Sequence, residues 1–346
     1  MIWADLKRRE NRVILVVVAL LMVVVTLGLR EIANRPMGYA DFPAGDPGER
    51  VLVVVEEGAT GEQIARNLAQ AGVIASWQSF FQLAISDSRA GRISPGSYRV
   101  DSRIPAETAL EQLLDKERIV GLISLRDGTR LSEVTAILER LNYEKVRQAL
   151  EQASLPDGFE GSSLEGYLYP ARYSFEPGRS AVEVIEAMVA RFVQATKDLD
   201  LRNNPGELTP SQVITVASLV EAEGTPDVFG KIARVIYNRL KIGMPLQLDA
   251  TIHYLQGTRG EISVTLEETK LKSAYNTYLN RGLPPGPIGS PTRSAILAAA
   301  EPEQGDWLYF ITVAPQDTRF TRSYEEFLEL KELYRENYRN GLFDND

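Results

Sequence analysis

Between Ser211 and Gly224 the chain reads SQVITVASLVEAEG, an apolar helix that carries one carboxylate, Glu221, near its end. At helical spacing Val213, Ala217 and Glu221 share a face with Ile214 and Ser218 beside it, so the side chain leans back over apolar surface. Burial disfavours the charged carboxyl, and so does the negative end of the helix dipole in the last turn. A raised pKa is what a general acid near neutral pH requires. On this segment alone a plainer reading stays open, in which Glu221 is the first solvated residue after a core helix.

The other groups able to do chemistry are amides, hydroxyls and carboxylates. The 346 residues contain no cysteine and one histidine, His253, so disulfides and thiol catalysis are excluded and a His-based metal site or Ser/His triad is disfavoured. No metal and no cofactor is expected. Glu165 sits in LEGYLYPARY, residues 164–173, where tyrosine rings suit the apolar faces of pyranoses and the carboxylate suits their hydroxyls; a strand entering a core fits equally well. Asn238 belongs to YNRLKIG, Gln247 and Asp249 to the loop MPLQLDAT, and Asn276 and Tyr278 to SAYNTYLNRGLPPGPIGSP, residues 273–291. Proline fixes φ, so this last loop reads as a stiff polar wall suited to an extended polymer, or simply as a loop. Two further carboxylates, Glu223 and Asp249, compete for a second catalytic role. Glu223 lies two positions beyond Glu221, about 200° round a helix, and so cannot face the same bond.

These groups must be positioned by helices and turns, and the punctuation for them is readable. Thr225 as N-cap, Pro226 at the first helical position and Gly243 at the stop predict a helix with a buried stripe of Val228, Ile232, Val235, Ile236 and Leu240. Ser180 and Glu183 cap another, buried through Val184, Ile185, Met188 and Phe192. A faint repeat, VVVEEGATGEQIARNL against LISLRDGTRLSEVTAIL, runs strand, acidic-glycine turn, helix in each copy, and Thr60 with Gln63 form a capping box in the first. Strand, helix, helix, strand is expected from Val51 to about Leu114, and the whole chain reads as α+β.

Lys7, Arg8, Arg9 and Arg12 precede VILVVVALLMVVVTLGL, Val13–Leu29. Seventeen residues with Thr26 as the one polar side chain give a helix of about 25 Å, at the short end of what crosses a bilayer. The expectation is a single transmembrane helix at 13–29, a cytoplasmic N-terminus at 1–12, a linker at 30–50, and everything beyond outside the cytoplasm. A net charge of -9 and a pI near 5.0 argue against nucleic acid as a partner.

ASLVEAEG, YNRLKIGMPLQLDAT, SAYNTYLNRGLPPGPIGSP and WLYFITV, in this order and with LEGYLYPARY ahead of them, resemble the endolytic murein transglycosylases of the YceG-like family. The resemblance spans about Val51 to Phe320. It implies a LysM-like module at 51–119, for which a purely structural or membrane-proximal spacer role stays open, a catalytic domain at 120–342 with its core at 206–320, and Glu221 as the catalytic residue. Glu165, Asn238, Gln247, Asp249, Asn276 and Tyr278 become candidates for substrate binding. The implied reaction cleaves the MurNAc–GlcNAc bond of peptidoglycan strands without water, leaving 1,6-anhydro ends and terminating nascent strand elongation, with peptidoglycan synthases as partners. The alternative from another class is a non-catalytic glycan-binding scaffold of the cell-wall machinery. The sequence departs from the family at Ala222 and Gly224, where VEKET is usual, and at Arg319, where a histidine is usual.

Overall fold

The computed structural model describes residues 39–343 except residue 57 and residues 260–263. The helix expected at 13–29 and the N-terminus before it lie outside the described residues. Among the described residues no helix is long and apolar enough to cross a membrane.

The chain divides into two compact units, one ending at Val120 and one beginning at Gly121. In the first, strand β1 (Arg50–Val55) is followed by helices α1 (Gly61–Gln70) and α2 (Trp77–Ser86), strand β2 (Gly96–Asp101), helix α3 (Ala106–Leu114) and strand β3 (Ile119–Val120). The antiparallel sheet has the order β1-β2-β3, with Val53 opposite Tyr98. Alternation along β1 sends Val53 and Val55 inward, where they meet Leu68, Phe80, Tyr98, Val100 and Leu110. The expected capping box starts α1: Gln63 N–H donates to the Thr60 hydroxyl at 3.3 Å, and Thr60 N–H donates to the Gln63 side chain at 2.7 Å. The expected strand, helix, helix, strand is present, extended by α3 and β3.

The second unit is α+β with two adjacent cores. Strand β4 (Leu122–Ser124), helices α4 (Leu131–Arg140) and α5 (Val146–Gln152), strand β5 (Arg172–Ser174) and helix α6 (Ala181–Thr196) surround Ile123, Leu138, Leu168, Val184 and Met188. Helices α7 (Pro210–Glu223), α8 (Phe229–Lys241), α9 (Asp249–Gln256) and α10 (Arg293–Ala300) build the other core, followed by hairpin strands β6 (Tyr309–Ala314) and β7 (Asp317–Thr321) and helix α11 (Tyr324–Arg339).

Helix α7 is the centre of that core. Pro210 stands in its first turn and Thr209 caps it reciprocally with Gln212. Every residue from Val213 to Val220 is buried, and each large aliphatic among them contributes about 1.5–3 kcal/mol by leaving water. The helix stops at Gly224, where a Cβ would stand 2.3 Å from the Ile232 methyl, so the missing side chain lets α8 pack closely against the end of α7. The start of α8 differs from expectation by three residues. The Thr225 hydroxyl donates to Asp227 at 2.6 Å and residues 225–228 form a turn, so Phe229, not Pro226, begins the helix. MPLQLDAT is likewise only partly a loop, because α9 starts at Asp249.

Candidate active site

Glu221 lies in the last turn of α7, half-buried, where that helix meets two loops. Its Oε2 accepts two hydrogen bonds from one residue, the Thr292 N–H at 2.9 Å and the Thr292 hydroxyl at 2.6 Å. Burial raises its pKa above the ordinary carboxylate value; the Thr292 bonds work against the rise, and the charge of Asp127 adds to it. The proline-rich loop follows α7 along its length: Ile288 N–H donates to the Ser218 hydroxyl at 3.1 Å, one turn before Thr292 reaches Glu221.

The second loop is the turn at 126–129 that leads into α4. Gly128 N–H donates to Ser290 C=O and Ser290 N–H donates to Thr129 C=O, each at 2.9 Å. A Cβ on Gly128, whose φ is +67°, would sit 3.6 Å from Glu221 Cγ. Arg259 closes the outside, donating to Gly128 C=O at 2.6 Å and to both Glu133 oxygens at 2.6 and 2.8 Å.

Beside this point lies a second polar group. Glu223 accepts from Ala250 N–H at 3.1 Å, and burial pushes its carboxyl up to about 7, with Asp249 adding to the rise and Arg239 opposing it. Asp249 accepts the hydroxyl of Tyr278. Burial and that bond hold the phenol well above its usual range. Arg239 donates to the carbonyls of Leu308, at 2.7 Å, and Leu246.

The other expected site residues are distributed differently. Asn276 is corrected: it is fully buried, its amide hydrogens go to Thr269 and Leu271 carbonyls at 3.0 and 2.7 Å, and its oxygen takes Tyr278 N–H at 2.9 Å. It shapes the loop from within and does not face a ligand. Asn238 donates to Gly305 and Trp307 carbonyls at 3.2 and 2.9 Å, tying α8 to the segment before β6. Gln247 adopts φ +48° and pairs its N–H with Thr277 C=O at 3.1 Å. Glu165 is buried, accepts from Leu131 N–H at 2.9 Å and Tyr254 O–H at 3.1 Å, and is pushed by burial up to about 7. It borders a cavity of about 520 Å³ with Ser211, Thr215, Tyr275 and Pro287, but Glu221 is not among its walls. Arg319 pairs with Asp317 at 2.5 Å on the exposed face of β7. Among the described residues no cluster of three or more His, Asp or Glu is placed to hold a metal ion.

Three close neighbours of Glu221 escaped the sequence reading: Thr292, Asp127 and Gly128. Thr292 was reachable as a helix cap just beyond the proline loop. The Asp-Gly turn was visible only as a repeat, and its position 93 residues before Glu221 (221 minus 128) carries no sign of the approach.

The chain resembles known proteins over this region. It is 29% identical over 306 residues to an endolytic murein transglycosylase of Bacillus subtilis (strain 168), covering 82% of this chain and 84% of that protein. It is 28% identical over 298 residues to one of Streptococcus pneumoniae serotype 2 (strain D39 / NCTC 7466), covering 75% of this chain and 54% of that protein, so it spans about half the pneumococcal protein's length. A crystal structure of a yceG-like protein from Listeria monocytogenes superposes with a TM-score of 0.54 at 26% identity, covering 82% of this chain and 99% of that one. The profile of the YceG-like family matches residues 53–332, well over half the chain, and the chain belongs to that family.

Proposed function

We propose that the chain is an endolytic peptidoglycan transglycosylase with Glu221 as its only acid and base. The observation that carries this is Glu221 itself, a carboxyl whose pKa burial raises at the end of an apolar helix and which is also tied to Thr292, so that both the acid and the carboxylate have support. In the first step protonated Glu221 gives its proton to the glycosidic oxygen between MurNAc C1 and GlcNAc O4, and the C1–O4 bond breaks. In the second, the Glu221 carboxylate takes the proton of the muramic 6-hydroxyl as O6 bonds to C1, which closes the 1,6-anhydro ring and restores the acid. The attacking hydroxyl belongs to the sugar under attack, so its effective concentration exceeds that of any water not held in place.

In this reading the chain is held at the cell membrane by one helix at 13–29 with its N-terminus cytoplasmic, and the catalytic domain at 120–342 works outside on glycan strands. A LysM-like module at 51–119 positions the strand, and cleavage within nascent strands stops their elongation beside the peptidoglycan synthases. One observation favours a second reading. Asp127 is close enough for its charge to act on Glu221, and a second carboxylate about 6.5–9.5 Å away serves as base for water in inverting hydrolases. Digestion of peptidoglycan in heavy-oxygen water decides between them. Unlabelled products lighter by one water than hydrolysis fragments are expected; label at the new reducing ends transfers the chemistry to Asp127 and a water. Absence of any cleavage would leave the glycan-binding scaffold.

A further inference from the structure

We propose that Thr292 is a positioning residue that fixes which oxygen of Glu221 carries the reactive proton. The inference rests on the transglycosylase reading and adds to it the assignment of the two carboxyl oxygens.

The geometry is asymmetric. Oε2 accepts both the N–H and the O–H of Thr292 at 2.9 and 2.6 Å, while Oε1 makes no hydrogen bond within the described residues. An oxygen that already accepts two donors is the carbonyl-like oxygen of a protonated carboxyl, so the proton resides on Oε1. The Thr292 hydroxyl has one hydrogen, and Glu221 receives it. The same hydroxyl oxygen then accepts from Ala295 N–H at 3.3 Å and takes the Ser294 hydroxyl at 2.9 Å, so its orientation is set by the first turn of α10. A chain of donors thus runs from the start of α10 into Oε2. It holds the rotation of the carboxyl while the proton leaves Oε1 and returns, and it stabilises the carboxylate between those events.

Among the described residues the charged groups around Glu221 are few. The negative charge of Asp127, in the turn before α4, acts on it. Arg259, after α9, is committed to Glu133 and Gly128. Glu223, on α7 itself, is turned to Ala250. Arg293, next to Thr292, is paired with Asp198 at 2.9 Å. Thr292 and Ser294 are the groups α10 contributes, and neither titrates.

The test compares Thr292→Val and Thr292→Ser in the full chain, with turnover per folded molecule, KM and the alkaline limb of the pH profile measured on purified glycan strands. Valine keeps the shape and the N–H but removes the hydroxyl. The expected result is turnover lower by about ten- to a hundredfold, the size of one charge-assisted hydrogen bond, KM within about twofold, and the alkaline limb moved to higher pH because a bond favouring the carboxylate is gone. Serine restores turnover and the limb. If Thr292 merely caps α10, valine lowers the melting temperature while turnover per folded molecule and the limb stay at wild-type values, and the proposal is overturned. Should the valine variant not fold, the serine variant with Ser294→Ala tests the same point: loss of the donor that orients the hydroxyl is expected to lower turnover severalfold, and unchanged turnover and limb would overturn the proposal. Failure of the wild-type chain to cleave glycan strands sinks the transglycosylase reading instead, and is recognised before any variant is made.

Discussion

Tyr254 donates its phenolic hydrogen to Oε2 of Glu165 at 3.1 Å, while Leu131 N–H occupies Oε1 at 2.9 Å, so one buried carboxyl joins the start of α4 to α9. Burial raises this carboxyl from 4.5 to about 7. The folded protein therefore binds a proton that the unfolded chain has released between those values. The resulting stability is fully present below about pH 4.5 and is lost as pH rises through about 7. The loss is on the order of 3 kcal/mol. Glu165→Gln removes the ionisation and keeps an acceptor for Leu131. Urea melts of the variant are expected to show a smaller fall in stability between pH 5 and pH 8 than the parent; an identical fall in both would show that Glu165 does not titrate in this range.

Glu221→Gln retains the shape of the side chain and an oxygen for Thr292, but it has no proton to give. Loss of about two to four orders of magnitude in turnover is expected, the usual worth of a general acid and base. The melting temperature should hold or rise, since a half-buried ionisable group has been made neutral. Release of glycan fragments at near parental rate, followed by mass spectrometry, would remove Glu221 from the chemistry.

The helices were legible because their signals are local. The apolar run before Glu221, the Thr60 capping box and the Ser180–Glu183 cap all appear where the spacing puts them. Thr225 misled because a hydroxyl can serve a turn as readily as a helix start, and here Asp227 takes it. Asn276 misled for a related reason: residue type shows that an amide can bond a sugar, but not that backbone carbonyls within the same loop have already claimed it. Least legible was the meeting of the 126–129 turn with Ser290, which rests on backbone atoms and so has no side-chain signature.

That meeting is itself testable. A Cβ on Gly289 would lie 2.4 Å from Gly128 C=O, a backbone atom held by Arg259, whereas a Cβ on Gly286 meets only the Tyr275 hydroxyl at 3.2 Å. Gly289→Ala must push the turn away from Glu221, at about 1–3 kcal/mol in stability and with a clear loss of turnover. Gly286→Ala should be mild in both, because the far end of a tyrosine can yield. Thermal melts and turnover of the pair check this, and equal behaviour of the two variants would mean that the 128–289 contact does not hold the site.

Two carboxyls near the end of α7 are raised by burial, Glu221 and, up to about 7, Glu223, so an alkaline limb in the activity profile could in principle belong to either. The neighbours separate them. Asp127 acts on Glu221 and Asp249 on Glu223, in both cases as a negative charge that favours the protonated form. Removing Asp127 as Asp127→Asn should therefore lower the pKa of Glu221 and bring the alkaline limb to lower pH, with the label from heavy-oxygen water still absent from the products. Glu223→Gln abolishes the other titration outright, and the limb is expected to remain where it was. Asp249→Asn should also leave it in place, while loosening Tyr278 and slowing turnover modestly. These profiles need only initial rates on soluble glycan strands between about pH 5 and pH 9, a window around the raised carboxyls. A limb that disappears in Glu223→Gln and ignores Asp127→Asn would assign the acid to Glu223, two residues beyond the position argued for it.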